Sequence, residues 1–554
     1  MTVEKLITDH IDIWSSALQT RSTAGRGSNG KIDLYGIKKL RELILELAVR
    51  GKLVPQDPND EPASELLKRI ATEKAELVKQ GKIKKQKPLP EISEDEKPFE
   101  LPEGWEWTRL GDIVKVSSGD GLTSSQMEVS GDIPVYGGNG INGYHDSFNV
   151  SKRTLVIGRV GFYCGSIHVT PSRAWVTDNA FKTEFSEENL YLDFLRVLLT
   201  ITNLKENENA TAQPVISGKK IYPIVVAIPP YQEQRIIVKK VEELMFLCEQ
   251  LEQQSLTSLD AHQQLVETLL STLTDSQNAE ELAENWARIS QHFDTLFTTE
   301  ASIDVLKQTI LQLAVMGKLV PQDPNDEPAS ELLKRIEQEK AQLVKEGKIK
   351  KQKPLPEISE DEKPFELPKG WEWCRIGSVI NIRAELVKPE NYYDFFQVAP
   401  DIIEKGTGKV ILQRTVKESG IKGPNSRFYK NQIVYSKIRP SLSKAFIAEY
   451  DGLCSADMYP LDCFINTGYL LKVILSEVFL IQVRAAENRI KMPKLNVESL
   501  SNILIPVPPA GIQSAVFSKI SQMDIFCDTL KSRLQSAQQT QLNLADALTD
   551  AALN

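Results

Sequence analysis

Several things are scarce in this 554-residue chain, and each shortage removes a class of function. No apolar run reaches the ~18 residues that a membrane-spanning helix needs. The opening MTVEKLITDHIDIW lacks the basic-then-apolar order of a secretory leader, so a cytoplasmic protein with no membrane partner is expected. Cysteine is sparse: Cys164, Cys248, Cys374, Cys454, Cys463 and Cys527 are scattered and form no CxxC pair. That pattern suits reduced thiols and argues against structural zinc. The five histidines fall at no metal-ligand spacing. Positive charge is short as well, and the net charge of −9 argues against a uniformly basic nucleic-acid binder.

Catalytic motifs are missing or broken. GRGSNGKI at Gly25–Ile32 carries GxxxxGK, but Ile32 stands where Ser or Thr would hold magnesium, and no apolar strand precedes it. IPPY at Ile228–Tyr231 has an apolar residue where a Pro-Pro amine-binding loop needs a polar one; VPPA at Val507–Ala510 also lacks the aromatic. There is no GxSxG and no HExxH. The chain reads as non-catalytic, with no metal and no cofactor of its own.

What is abundant is repetition. Gly51–Pro102 and Gly317–Pro368 are identical at 48 of 52 positions. Upstream, Ile37, Leu40, Ile44 and Leu47 correspond to Ile303, Leu306, Ile310 and Leu313, one apolar stripe on a helix in each copy. The linker KIKKQKPLPEISEDEKPFELP, with its prolines and mixed charge, reads as an extended strap. Downstream, LPEGWEW at Leu101 matches LPKGWEW at Leu367, after which the copies diverge. A second match pairs IPPYQEQRIIVKKV at Ile228 with VPPAGIQSAVFSKI at Val507.

A long helix follows each of these. In the first, Ile237, Val241, Leu244, Cys248, Leu251, Ser255, Ser258, His262, Leu265 and Leu269 step by alternating four and three. In the second, Val516, Ile520, Met523, Cys527, Leu530, Leu534, Ala537, Gln541, Leu544 and Leu548 do the same. A sustained 3.5-residue average predicts a coiled-coil seam. The first long helix can fold back on the stripe Ile303–Leu313 through a helical connector. The stripe Ile37–Leu47 has its equivalent partner in the C-terminal helix, so the two ends of the chain should meet. The divisions expected are 1–106 (N-terminal helical region and linker), 107–230 (first variable domain), 231–373 (central region), 374–509 (second variable domain) and 510–554 (C-terminal helix).

Residues 107–230 carry a net charge of −1 and residues 374–509 a net of +5. Distribution matters more than either sum. Ser147–Thr177 holds Lys152, Arg153, Arg159 and Arg173 and no acid; Ile421–Ala448 holds Lys422, Arg427, Lys430, Lys437, Arg439 and Lys444 and no acid. LVIGRVGFYCGSIHV and IVYSKIRPSLSKAFI align loosely, with Arg159 opposite Lys437. Each predicts strand, tight turn, strand, with cations at the turn. Such hairpins could face DNA phosphate, and arginine could reach guanine O6 and N7; the plainer alternative is a solvated hairpin. YGGNGINGYHDS predicts turns needing positive φ, with Asn139, Asn142, Tyr144 and His145 able to offer polar edges to bases.

Two divergent domains, each opened by GWEW and closed by Pro-Pro into a long helix, resemble the specificity subunit of type I restriction–modification systems. The near-identical GKLVPQDPNDEPASELLKRI copies, with LYGIKKLRELILELAVRGKLVPQ before the first, resemble the type IB branch. The second closing motif departs from the pattern: Gly511 and Ile512 stand opposite Gln232 and Glu233, and only the pair Gln234/Gln513 is kept. The resemblance implies an α+β fold. In it, two mixed α/β target-recognition domains are separated by long antiparallel coiled-coil helices in a pseudo-twofold circular arrangement. It further implies that each domain reads half of a split, asymmetric double-stranded DNA site. The helical rods would space the half-sites, and the repeats would dock two methyltransferase subunits, with two restriction/translocase subunits joining. S-adenosylmethionine, ATP and Mg2+ would be used by those partners. A rod of roughly 35 residues spans ~50 Å, about one to one and a half turns of DNA. Two other readings are an interaction scaffold with duplicated docking arms and no DNA role, which the net charge favours, and a self-contained methyltransferase, which Ile228 and the missing glycine-rich cofactor loop oppose.

Overall fold

The computed structural model describes residues 3–21, 31–83, 87–123, 126–127, 131–161, 163–204, 215–383, 385–486 and 493–553. Most of GRGSNGKI, at 25–30, lies outside the described residues. The chain forms two compact units: Met1–Ser258 with Ala537–Asn554, and Leu259–Ser536.

In the first unit, good helix formers carry the stripe Ile37, Leu40, Ile44 and Leu47 into an arm helix, Tyr35–Val49. A helix of this length is marginal alone, so its stability comes from covering the stripe. All four residues are buried, and the helix lies against the domain helix Leu192–Ile201. Arg41 pairs with Glu252 at 2.6 Å on the first rod helix, Tyr231–Asp275. Tyr35 Oη donates to Asp546 at 2.7 Å on the second rod helix, Ala510–Leu553. The two ends of the chain therefore do meet. At the end of the arm helix Gly51 takes φ +68°, and Lys52 N–H donates back to Leu47 O at 3.0 Å, a left-handed helix stop. Lys52 Nζ then donates to Leu553 O at 2.6 Å, capping the carbonyl end of the second rod helix.

The second unit repeats this. Its arm helix, Glu300–Val315, begins at Thr299, whose hydroxyl accepts from Ser302 N–H at 3.1 Å. Ile303, Leu306, Ile310 and Leu313 share one apolar cluster with Val266, Leu270 and Leu273 of the first rod helix and Cys527 of the second. The connector forms the helix Ala279–Gln291 between rod and arm. Gly317 takes φ +74° and Lys318 N–H donates to Leu313 O at 2.8 Å. Lys318 Nζ donates to Thr274 O and Ser276 O at 2.7 and 2.9 Å. Glycine stops the arm and lysine caps the rod in both copies. The charged helices Ala63–Lys79 and Ala329–Lys345 are also pinned: Lys74 Nζ donates to Gly111 O, and Lys340 Nζ to Gly377 O, each buried enough to lower its pKa, that of Lys340 to about 8.

The rods depart from the expected seam at one place. Ile237, Val241, Leu244, Val516 and Ile520 are buried, and Leu251, Leu269, Met523, Leu530, Leu534 and Leu548 are half-buried. Leu265 and Leu544, however, are 50% and 41% exposed, and the next residues, Val266 and Ala545, are buried instead. Ser258 and its counterpart Ala537 also face solvent. A straight helix has 3.6 residues per turn, so a strict 3.5 stripe drifts about 20° per heptad. One extra four-residue step resets it, and both rods take that step at the same position.

In both variable domains the opening and closing motifs pair. Glu106–Arg109 runs antiparallel to Val225–Ile228, and Glu372–Arg375 to Leu504–Val507. The divergent sequence between them conceals a shared sheet. Its order is Val114–Ser118, Ala180–Phe185, Leu155–Gly158, Ile167–Val169 in the first domain. The second has Ile380–Ile382, Met458–Cys463, Ile433–Ser436, Ala445–Ile447 in the same order. The remaining sheets differ, with three strands around Ile133–Gly137 against four around Gly452–Cys454. In place of the expected tight turn, each domain has an eight-residue connection between the strands. Each strand pair still closes at Ser166 and Lys444, where Gly158 N–H donates to Ser166 O (2.8 Å) and Ser436 N–H to Lys444 O (2.9 Å), but Arg159 N–H donates away to Asn179 O (2.9 Å) and Lys437 N–H to Asp457 O (3.0 Å).

From residue 87 on, the strap is extended around one short turn, Glu94–Glu96, but it is not loose. Arg109, only 3% exposed, donates to Pro90 O, Glu91 O and Pro223 O and pairs with Glu96 at 2.9 Å. Arg375 holds Pro356, Glu357 and Glu362 in the same way. Arg109 and the Ser93 N–H hold the Glu96 carboxyl down to about 2, against an ordinary value of 4.5. A depressed carboxylate pKa gives stability that is present above 4.5 and lost as pH falls from 4.5 toward 2. Pepsin should therefore begin to cut residues 87–100 as pH drops through that window. Glu96→Gln should expose the same segment at pH 7, where cleavage by a neutral protease reads it; resistance there would show that the carboxylate is not the anchor.

Candidate nucleic-acid interface

The cations that the sequence leaves without acids find acids in space. Lys152 pairs with Glu187 and Arg153 with Asp193 at 3.0 Å, both partners lying beyond the acid-free stretch. Arg159 lies over the Phe181 ring at 5.4 Å and donates to Ser118 Oγ and Asp178 O. Arg173 lies over Phe148 at 4.6 Å. These contacts correct the picture of a free basic hairpin: chain-local composition cannot register acids brought in by neighbouring elements. An exposed ion pair is worth only about 0–1 kcal/mol, so Lys152 can exchange the Glu187 carboxylate for a phosphate at little cost, whereas Asp193 is buried and holds Arg153 more firmly.

YGGNGINGYHDS folds as a hairpin, Ile133–Gly137 against Gly140–His145. Asn139 sits exposed at its turn, before Gly140 at φ +90°. Asn142 and Tyr144 are exposed on the second strand, and a Cβ at Gly137 would meet the Asn142 amide at 2.0 Å. His145 is half-buried, 3.4 Å from Asp146 and edge-on to Trp175 at 5.4 Å.

In the second domain Arg427 is sandwiched near Tyr392 and Tyr429, at 5.5 and 4.7 Å, with Glu385 at 3.8 Å. Lys437 Nζ donates to Ala456 O at 2.7 Å and lies over Tyr459. Lys444 Nζ donates to Pro400 O, and burial lowers its pKa. Lys437 and Lys444, expected at the DNA face, are thus committed to backbone carbonyls. Lys430 is exposed at the turn before Ile433–Ser436, and Arg439 is exposed in the eight-residue connection.

What sequence reasoning missed is how each domain is fastened. Gln234 Oε1 accepts from Tyr191 N–H at 2.8 Å, just ahead of the helix Leu192–Ile201. Gln513 Oε1 accepts from Asn466 N–H at 2.8 Å, ahead of Thr467–Ile474. The indole of Trp105 donates to Glu233 at 3.0 Å; where Ile512 replaces that acid, Trp371 donates to Gln322 at 2.7 Å instead. The retention of Gln234/Gln513 alone was the available signal.

A model of the type I restriction modification DNA specificity domain matches residues 102–261 and 368–539. The chain is 52% identical to the type I restriction enzyme EcoEI specificity subunit of Escherichia coli, over the whole of both chains. It is 49% identical to the EcoAI specificity subunit of the same organism, again over both whole chains. A solved chain from a type I restriction–modification system aligns at 14% identity and a TM-score of 0.47, covering 82% of this chain and 99% of that one. On the sequence matches, this chain belongs to the family of type I restriction enzyme specificity subunits and carries two DNA specificity domains in tandem.

Proposed function

We propose that residues 107–230 and 374–509 each read one half of a bipartite, asymmetric DNA site, that the rod helices set the unread gap, and that the repeated arms dock two methyltransferase subunits. The observation that carries this reading is the contrast within the repeat. Arms identical at 48 of 52 positions flank two domains that share one sheet order and differ in the other sheet. Identical partners need identical docking surfaces, whereas two different half-sites need different reading surfaces. Two restriction/translocase subunits complete the complex in the cytoplasm. The chain itself is non-catalytic: methyl transfer from S-adenosylmethionine and Mg2+- and ATP-dependent cleavage belong to its partners. Those partners can supply part of the phosphate clamp, which fits a chain with a net charge of −9. Gel shifts test this. Sequence-specific binding should be weak or absent for the chain alone and appear on co-expression with the methyltransferase subunit; no specific binding in either case would favour a scaffold.

A further inference from the structure

The eight-residue connections 159–166 and 437–444 match in length and, at their described residues, in hydrogen bonding and backbone sign. Besides the outward bonds from Arg159 and Lys437, Cys164 N–H donates to Gly161 O at 3.0 Å and Leu442 N–H to Arg439 O at 2.9 Å. Ile216 N–H donates to Arg159 O at 2.9 Å, and Leu495 N–H to Lys437 O at 2.8 Å. Both connections need positive φ at the same two positions. The first supplies glycine at both, Gly161 at +90° and Gly165 at +84°. The second supplies Arg439 at +44° and Ser443 at +50°. A residue with a β-carbon is strained there, and Arg439 is doubly so, because Pro440 after it drives a residue toward extended backbone.

Such strain persists only where the surroundings enforce it. Here Arg439 N–H donates to Pro493 O at 2.9 Å, Pro440 is buried, and Gly406 N–H donates to Ser443 O at 3.2 Å. The position points outward: among the described residues, a Cβ built on the equivalent Gly161 meets nothing within 4 Å. Arg439 is exposed and enters no ion pair among the described residues. The flanking Lys437 and Lys444 are held by carbonyls. The domain thus keeps a guanidinium on a rigid loop at a place where its own scaffold favours glycine.

We infer that Arg439 is a specificity-determining residue of the second domain, donating to the O6 and N7 acceptors of a guanine in its half-site. The first half-site is read without this contact, since Gly161 stands there. The inference rests on the proposal that this domain binds DNA, and the test separates the two. The whole complex with its methyltransferase partner is used, carrying Arg439→Ala or Arg439→Gly. Both remove the guanidinium, but only glycine relieves the backbone. Both should lose about ten- to a hundredfold discrimination at a guanine in one half-site and leave the other half-site unchanged. Arg439→Gly should also melt above Arg439→Ala. Preference unchanged in both variants would overturn the inference alone. So would a uniform loss at every base with a salt slope lower by about one, which marks a phosphate contact. Loss confined to the glycine variant would overturn it too, by assigning the effect to loop mobility. No sequence preference in the unsubstituted complex would overturn the DNA reading itself.

Discussion

A Gly317→Ala chain should lose on the order of 3 kcal/mol of stability, and Gly51→Ala about as much. Two penalties coincide at each position. The backbone is left-handed, at +74° and +68°, a conformation costing a residue with a Cβ about 1–3 kcal/mol. The added carbon would also meet Pro368 Cγ at 2.5 Å or Pro102 Cγ at 2.4 Å, with the Trp371 or Trp105 indole at 3.1 Å behind it. Those contacts are ring atoms packed under the GWEW strand, so they cannot swing aside. The damage should spread from the arm helix to the end of a rod, because the adjoining lysine caps that rod: Lys318 on Thr274 and Ser276, Lys52 on Leu553. Calorimetry reads the result as a lowered transition. Hydrogen exchange in Glu300–Val315 should quicken for Gly317→Ala, and in Tyr35–Val49 for Gly51→Ala. An unshifted transition in both variants would mean that the helix stop relaxes without loss.

This device changes the meaning of the repeat. Near-identity between Gly51–Pro102 and Gly317–Pro368 points, in sequence, to a docking surface shared by two identical partners. In the structure much of it is internal: Gly51, Lys52, Gln56, Leu66, Ile70, Lys74 and the proline before GWEW all hold the arm to its own unit. The residues left over for a partner are the exposed ones of the charged helices, among them Lys68, Glu73 and Lys79. Legibility followed the range of the interaction. Stripes, rods and straps are written in local periodicity and composition, so Ile37–Leu47 and the rods were readable. The shared four-stranded sheet was not. Its strands are only three to six residues long, and Ala180–Phe185 must reach back to Val114–Ser118 across the whole domain. At the candidate interface the acid-free stretches were real but misleading, since Glu187 and Asp193 arrive from outside them. The positive φ of Arg439 leaves no trace in composition, and shows only against Gly161 once the two loops are matched in space.

Matched insertions of seven residues after Ser258 and after Ala537 should lengthen the unread gap of the DNA site by about three base pairs, leaving both half-site sequences as they are. Insertions of four should lengthen it by about two. The estimate takes ~1.5 Å per helical residue and ~3.4 Å per base pair. Which insertions are tolerated follows from the angle. At about 100° per residue, seven residues turn the following helix by about −20° and four by about +40°. Both leave Val266, Leu270 and Leu273 close enough to their cluster with Ile303, Leu306 and Ile310 to repack. The four-residue step is also one that each rod already takes at this place, between buried Cys248 and Val266 and between Cys527 and Ala545. Five residues would turn the helix by about 140° and put those apolar side chains into water, so that variant should fail to fold. Methylation mapping in cells carrying the three-subunit system reads gap and half-sites together. A gap unchanged by the seven-residue insertion, in a complex that still methylates, would show that the rods do not set the spacing. Altered half-site bases would show that the rods reach into the reading surface, which the continuity of each rod helix with its closing strand, Val225–Ile228 or Leu504–Val507, makes the sharper risk to the idea.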